Sequence, residues 1–186
     1  MTAKFKNFLL TGDPGIGKTE ILKVILGDLW LQAGGFLTHE IKSGKTNKGV
    51  ELMTLTGQQA VLAHINKKST YQVSKYGVDL EVMSDVAVPA LRDALDKKDL
   101  IVIDQIGKME CYSAEFRDMA TRCLDSVKPV LGVIQNFASP FITTIMNRPD
   151  CVVITVTAQN RSELPAKILE LFNRMSPPRP VRKAKR

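Results

Sequence analysis

Residues 12–19 constrain this chain more than any other part of it. Gly12-Asp13-Pro14-Gly15-Ile16-Gly17-Lys18-Thr19 fits GxxxxGK[ST] at every defined position. It lies between Lys4–Thr11, which ends in an apolar run, and a segment in which Ile21, Leu22, Val24, Ile25, Leu29 and Trp30 recur at helical spacing. A glycine-rich turn from strand into helix lets the backbone point its N–H groups inward around phosphate oxygens. The N-terminus of the following helix adds partial positive charge at the same place. Lys18 is then expected to bridge the β- and γ-phosphates of a bound triphosphate, and the Thr19 hydroxyl to bind Mg²⁺. A turn that merely joined strand to helix would have no use for Gly-Lys-Thr. The motif points to triphosphate binding and is silent about the reaction.

Leu100-Ile101-Val102-Ile103 is a continuous apolar run, as expected of a strand buried on both faces of a parallel sheet. Asp104 follows it, where P-loop proteins place the aspartate that orients Mg²⁺ at the end of a neighbouring strand. The next residue is Gln105, where P-loop ATPases often carry a glutamate that polarises the attacking water. A glutamine aligns water through its amide and accepts no proton, so slow turnover is expected. Ile106 and Gly107 continue the segment. Lys108, on a glycine hinge, is either a charge delivered to the γ-phosphate or a solvated loop lysine. Glu110 is read chiefly as an exposed surface carboxylate, with a substitute base as the alternative. Beyond the last expected strand, Asn160 and Arg161 are candidates for base or ribose contact; otherwise Asn160 caps the final helix and Arg161 is solvated.

The remaining pattern alternates strands and helices. The first helix is expected to run to about Ala33 and stop at Gly34-Gly35. GFLTHEIKS and GVELMTL flank the turn Ser43–Asn47, and AVLAHI follows, so a hairpin with a third, antiparallel strand is inserted after the first helix. Residues 67–80 read as loop with some extended character. Glu81–Lys97 is expected to be a helix with Pro89 as its weak point. Ser113 should cap a helix over Ala114–Asp125. Strands at Pro129–Ile134 and Cys151–Val156 and helices at Phe141–Asn147 and Ser162–Met175 complete a three-layer α/β P-loop fold with a mostly parallel sheet.

The chain's 186 residues suit one domain, over 1–175, followed by a basic tail at 176–186. Of the net charge of +7, five units lie in Pro177–Arg186, leaving +2 on the body. A disordered tail is expected there, open to an acidic surface, RNA or import receptors, while the body gives little reason to expect nucleic acid. Cys111, Cys123 and Cys151 lack CxxC spacing and read as reduced thiols, and two histidines make a zinc site improbable. No apolar run approaches the ~20 residues of a membrane span, and the N-terminus lacks a signal-peptide pattern. A cytoplasmic monomer is expected, with nuclear entry open through the tail.

Taken together, these segments resemble the nucleoside-triphosphatase family first described from thermophiles. IVIDQIGKMECYSAEF is similar to its signature segment, GDPGIGKT to its P-loop and GGFLTHEI to its second strand. KYGVDLEVMSDVAVPAL, KPVLGVI and RPDCVVITVTAQNRSELPAKIL resemble later parts in the same order, so that only the tail beyond about Met175 lies outside. The resemblance implies a magnesium-dependent hydrolase that converts several nucleoside triphosphates to diphosphate and phosphate, slowly and with little base selectivity. It implies two nucleotide-binding segments, Gly12–Thr19 and Ile101–Lys108. The family typically has glutamate where this chain has Gln105, arginine where Gly44–Gly49 carries lysines, and an aromatic at Val50. The glutamine keeps a nucleotide-binding switch with negligible hydrolysis in play. A small-molecule or nucleotide kinase is a third possibility, weakened because Arg92, Arg117, Arg122, Arg148, Arg161 and Arg174 are scattered rather than gathered in a lid.

Overall fold

The computed structural model describes residues 5–175, so both the tail and the start of the chain lie outside the described residues. Strand β1 (Asn7–Thr11) shows how the layers arise. Successive strand residues face opposite sides of a sheet. Phe8 and Leu10 join one apolar cluster, and Leu9 the other. In β7 (Leu100–Ile106), Leu100 and Val102 take the first side, and Ile101, Ile103 and Ile106 the second. Both faces must therefore be covered. Helices α1 (Lys18–Asp28) and α6 (Leu164–Met175) cover the first, where Phe8 meets Phe172 with ring centroids 5.0 Å apart. Helices α3 (Val88–Lys97), α4 (Ala114–Asp125) and α5 (Pro140–Met146) cover the second, where Phe36 and Phe116 lie 6.2 Å apart.

The remaining strands are β2 (Ala33–Ser43), β3 (Thr46–Thr54), β4 (Gln59–His64), β5 (Gln72–Val73), β6 (Tyr76–Val78), β8 (Val130–Ile134) and β9 (Cys151–Thr155). The sheet order is β5-β6-β4-β3-β2-β7-β8-β1-β9. From β2 to β9 every pair is parallel, and from β2 outward to β5 every pair is antiparallel. The inserted hairpin and its third strand are thus present, and β2 is shared by the two halves. The short β5 and β6 give residues 67–80 their extended character, and Ser113 caps α4 through Phe116 N–H at 3.1 Å.

Three expectations need correction. Helix α1 ends at Asp28, and Gly34 and Gly35 lie inside β2. The intervening chain is drawn toward the start of β7, because Gln32 accepts from the Asp99 and Leu100 amides and donates to the Asp99 carboxylate. The helix expected at Glu81–Lys97 is interrupted: a short α2 (Leu80–Val82) leads into a wide π-turn over Met83–Ala87 before α3 begins. Pro89, which has no N–H to give, sits in the first turn of α3, where helices tolerate it. Finally, β7 is not adjacent to β1, because β8 lies between them.

At the end of the sheet where β1 and β9 begin, Arg148 grips Asp150 with two hydrogen bonds of 2.9 and 3.0 Å and also reaches Asp125 at 2.7 Å. Lys6 pairs with Asp150 at 3.1 Å, and buried Asn7 joins Leu124 O, Asp150 and Val130 N. Arg148→Ala is expected to lower stability by about 1–3 kcal/mol, read as a lower denaturation midpoint. The Arg148 hydrogen bonds, opposed by some burial and aided by Lys6, hold the Asp150 carboxyl down at about 2. Its contribution is therefore present above an ordinary aspartate pKa of ~3.9 and is lost as pH falls through that lowered value. Parent and variant should converge in stability on acidification through this window.

Candidate functional site: the phosphate loop and the Asp104–Glu110 segment

Between β1 and α1, three glycines hold positive φ: Gly12 at 134°, Gly15 at 76° and Gly17 at 100°. At Gly12 a Cβ would lie 2.7 Å from Val156 O, so a side chain is excluded by contact as well as by conformation. Asp13, Pro14 and Gly15 are exposed at the loop's crest, and a turn closes through Ile16 N to Asp13 O. Lys18 lies back across the loop, its ammonium 2.8 Å from both Gly12 O and Asp13 O. Burial lowers its pKa, while the Asp104 and Asp13 charges oppose that. Thr19 Oγ1 donates to Asp104 Oδ2 at 2.7 Å, although β8 separates the strands that carry the two segments. Burial pushes the Asp104 carboxyl up to about 6, against the Thr19 hydroxyl, the Thr38 amide and Lys18. Thr38 N approaches the same oxygen at 3.4 Å, a contact from β2 with no signature in the sequence.

Beyond Asp104 the pairing of β7 with β8 shifts register, so that Asp104 faces Val133 and Ile106 faces Ile134. Gln105 is the extra residue of this bulge, half-buried, and the peptide bond before it is cis. Bulges beside active sites re-aim a side chain out of the ladder. Ile106 is fully buried and its carbonyl accepts from Gln135 N, so it anchors the segment and offers no side chain to a ligand. Gly107 N–H donates to Glu110 Oε2 at 3.1 Å, and Lys108 N–H to Gln135 Oε1 at 3.0 Å. The Lys108 side chain is exposed, its ammonium 5.7 Å from the centroid of the Phe137 ring. Glu110 is not the surface carboxylate expected: it is 0% exposed, and its Oε1 has no hydrogen-bond partner. Burial, with a smaller push from Asp104, raises its pKa to about 7.

Asn160 neither caps α6 with its side chain nor stands free. Its Oδ1 accepts from Thr157 N at 2.9 Å and its Nδ2 donates to Thr155 O at 2.9 Å, stapling the loop after β9. Arg161 is exposed. The three cysteines are free thiols, and burial raises Cys111 and Cys123 to about 12, out of the reactive range. Among the described residues no helix is long and apolar enough to cross a membrane.

A family model described as NTPase matches residues 7–169. The chain belongs to this NTPase family. The nucleoside-triphosphatase THEP1 of Thermotoga maritima is 40% identical to it over 168 residues, which cover 89% of this chain and 96% of that protein. The crystal structure of THEP1 from the hyperthermophile Aquifex aeolicus superposes with a TM-score of 0.80 at 31% identity, covering 89% of this chain and 98% of that one. The solution structure of a human cancer-related nucleoside triphosphatase gives 0.77 at 30% identity, covering 93% and 100% respectively. In this NTPase, Gln135 at the end of β8 is the polar residue that sequence reading missed. It holds the Lys108 amide from the neighbouring strand, and a glutamine after an apolar strand carries no signal of such a task.

Proposed function

We propose that this chain binds a nucleoside triphosphate with Mg²⁺ and hydrolyses it slowly, with little base selectivity, to diphosphate and phosphate. Membership of the NTPase family makes triphosphate hydrolysis its reaction class. The observation that carries the finer reading is the 2.7 Å contact between Thr19 and Asp104, which brings a phosphate loop and a buried carboxylate to one point. Two hard oxygen donors suit Mg²⁺, which binds through one or two protein oxygens together with substrate phosphates and water. No group of three or more His, Cys, Asp or Glu able to hold a metal occurs among the described residues, so protein ligands alone would not build a cage there. Thr19 and Asp104 would hold the ion, which when bound neutralises charge on the phosphates.

In this reading the loop amides and Lys18 bind the phosphates and bring positive charge to the γ-phosphoryl group as its bond to the β-phosphate loosens. Gln105, displaced from the ladder by its bulge, orients the water. Lys108 would have to leave Phe137 to add its charge. Asn160 acts by shaping the loop after β9, and Arg161 is the exposed candidate for ribose or base. The described residues form the catalytic domain.

Phosphate release from ATP and GTP with Mg²⁺ tests this. The parent chain should turn over measurably, and Gln105→Glu, which restores a carboxylate beside the water, should raise the rate roughly tenfold to 100-fold. Gln105 also favours one alternative, a nucleotide-gated switch. That alternative takes over if the parent binds nucleotide tightly and only Gln105→Glu releases phosphate.

A further inference from the structure

We propose that Glu110 is the acceptor for the proton of the attacking water, the part that Gln105 lacks the basicity to play. The inference rests on the hydrolase reading above. Between Asp104 and the α4 cap Ser113, Glu110 is the one further carboxylate in the segment. One of its oxygens is occupied, by Gly107 N–H at 3.1 Å, and the other is buried without a partner. A buried acceptor left unpaired costs about 1–3 kcal/mol, and native folds seldom keep one without a use. A glutamine here could also hold the Gly107 amide through its own oxygen, so tethering that amide does not by itself call for a carboxylate.

Its position fits the task. A Cβ placed on Gly107 would lie 2.9 Å from Glu110 Oε2, 3.0 Å from Gln105 Nε2 and 3.0 Å from Gln135 Oε1, so the three side chains converge on one point beside the catalytic segment. Glycine at 107 leaves that space open. Asp104 is near enough for its charge to act on Glu110. Gln105 thus orients the water in front, while the acid waits behind it.

The step balances as follows. The water oxygen forms its bond to the γ-phosphorus, and the bond from that phosphorus to the β–γ bridging oxygen breaks. The bridging oxygen keeps the electron pair and leaves on the nucleoside diphosphate. The proton from the water passes to the Glu110 carboxylate, whose Oε2 faces the gap beside Gly107, and returns to solvent as phosphate departs.

The test combines Glu110→Gln with Gln105→Glu, singly and together, using ATP turnover and the affinity of a fluorescent ATP analogue. Glu110→Gln keeps the shape and an acceptor for Gly107 while removing the basicity. It should lower kcat roughly 100-fold or more while leaving affinity within about twofold. In the Gln105→Glu background the same change should cost less than about tenfold, because a carboxylate beside the water then takes the proton. Glu110→Asp, which keeps the base on a shorter arm, should retain more activity than Glu110→Gln. An unchanged kcat in Glu110→Gln, an equal cost in both backgrounds, or a weaker Glu110→Asp than Glu110→Gln overturns the proposal. A parent chain that releases no more phosphate than Lys18→Ala overturns the hydrolase reading itself, and the proposal with it.

Discussion

Lys18→Ala should lower phosphate release at saturating nucleotide by roughly 10²–10³-fold, as the loss of one preorganised charge-stabilising donor does elsewhere. The expectation follows from where the ammonium sits. It is held on the carbonyls of Gly12 and Asp13, at the mouth of the loop whose glycines turn the backbone around a phosphate. Burial works against its charge, but Asp104 and Asp13 favour it. A bound triphosphate brings far more negative charge than two carbonyl dipoles, so the ammonium transfers to the phosphates without leaving the loop. Phosphoryl transfer has a loose transition state with charge spread over the γ-oxygens, and little but positioning and neutralisation lowers its barrier. An uncharged methyl at this position supplies neither. The fold should survive, because Lys18 is half-buried in the first turn of α1 and alanine is a better helix former. The check is turnover and thermal midpoint measured together. Turnover within about threefold of the parent, with the midpoint unchanged, would mean that the γ-phosphate sits elsewhere.

Much of this site was legible because its meaning is local. A phosphate loop is read from eight consecutive residues, and the aspartate after a four-residue apolar run from five more. What failed was whatever depends on a partner distant in sequence. Gly34-Gly35 reads as a helix stop because glycine permits both a helix cap and a close backbone approach. Only the presence of β7 decides for the second. The place of Asp104 one strand away from β1 is a matter of sheet order, and parallel strands joined by helices leave no trace of their order in local pattern. Glu110 was misjudged for a related reason. A charged residue in a loop is usually solvated, and its burial here depends on how the Gly107 turn and the Ser113 cap fold the segment inward. Pro89 did mark a real irregularity, but a π-turn has no residue signature of its own. The bulge at Gln105 was likewise invisible, although it sets the aim of the side chain proposed to orient the water.

Gly35→Ala should destabilise the protein by about 3–5 kcal/mol, combining backbone strain with a steric clash that no rotamer relieves. Gly35 has φ +110°, and a Cβ there would stand 2.0 Å from Val102 O and about as near as 3.0 Å to the carbonyl carbon. Both obstacles are backbone atoms of β7, a buried interior strand, paired with Gly35 in parallel register. On its other side Gly35 is tied by its carbonyl to Leu55 N at 2.9 Å. It is therefore the joint at which the antiparallel insertion is fixed to the parallel core. The methyl group can be accommodated only by prising β2 away from β7, and three residues along β2 stands Thr38, whose amide faces Asp104. Activity should fall with stability for that reason. Gly27→Ala is the matched control: its Cβ would meet nothing within 4 Å, and an alanine inside α1 should stabilise by roughly 0.5–1 kcal/mol. Urea denaturation of the two variants beside the parent separates these cases. A Gly35→Ala midpoint equal to that of the parent would show that β2 and β7 are not in this contact, and that the Thr38 approach to the Asp104 carboxylate does not exist.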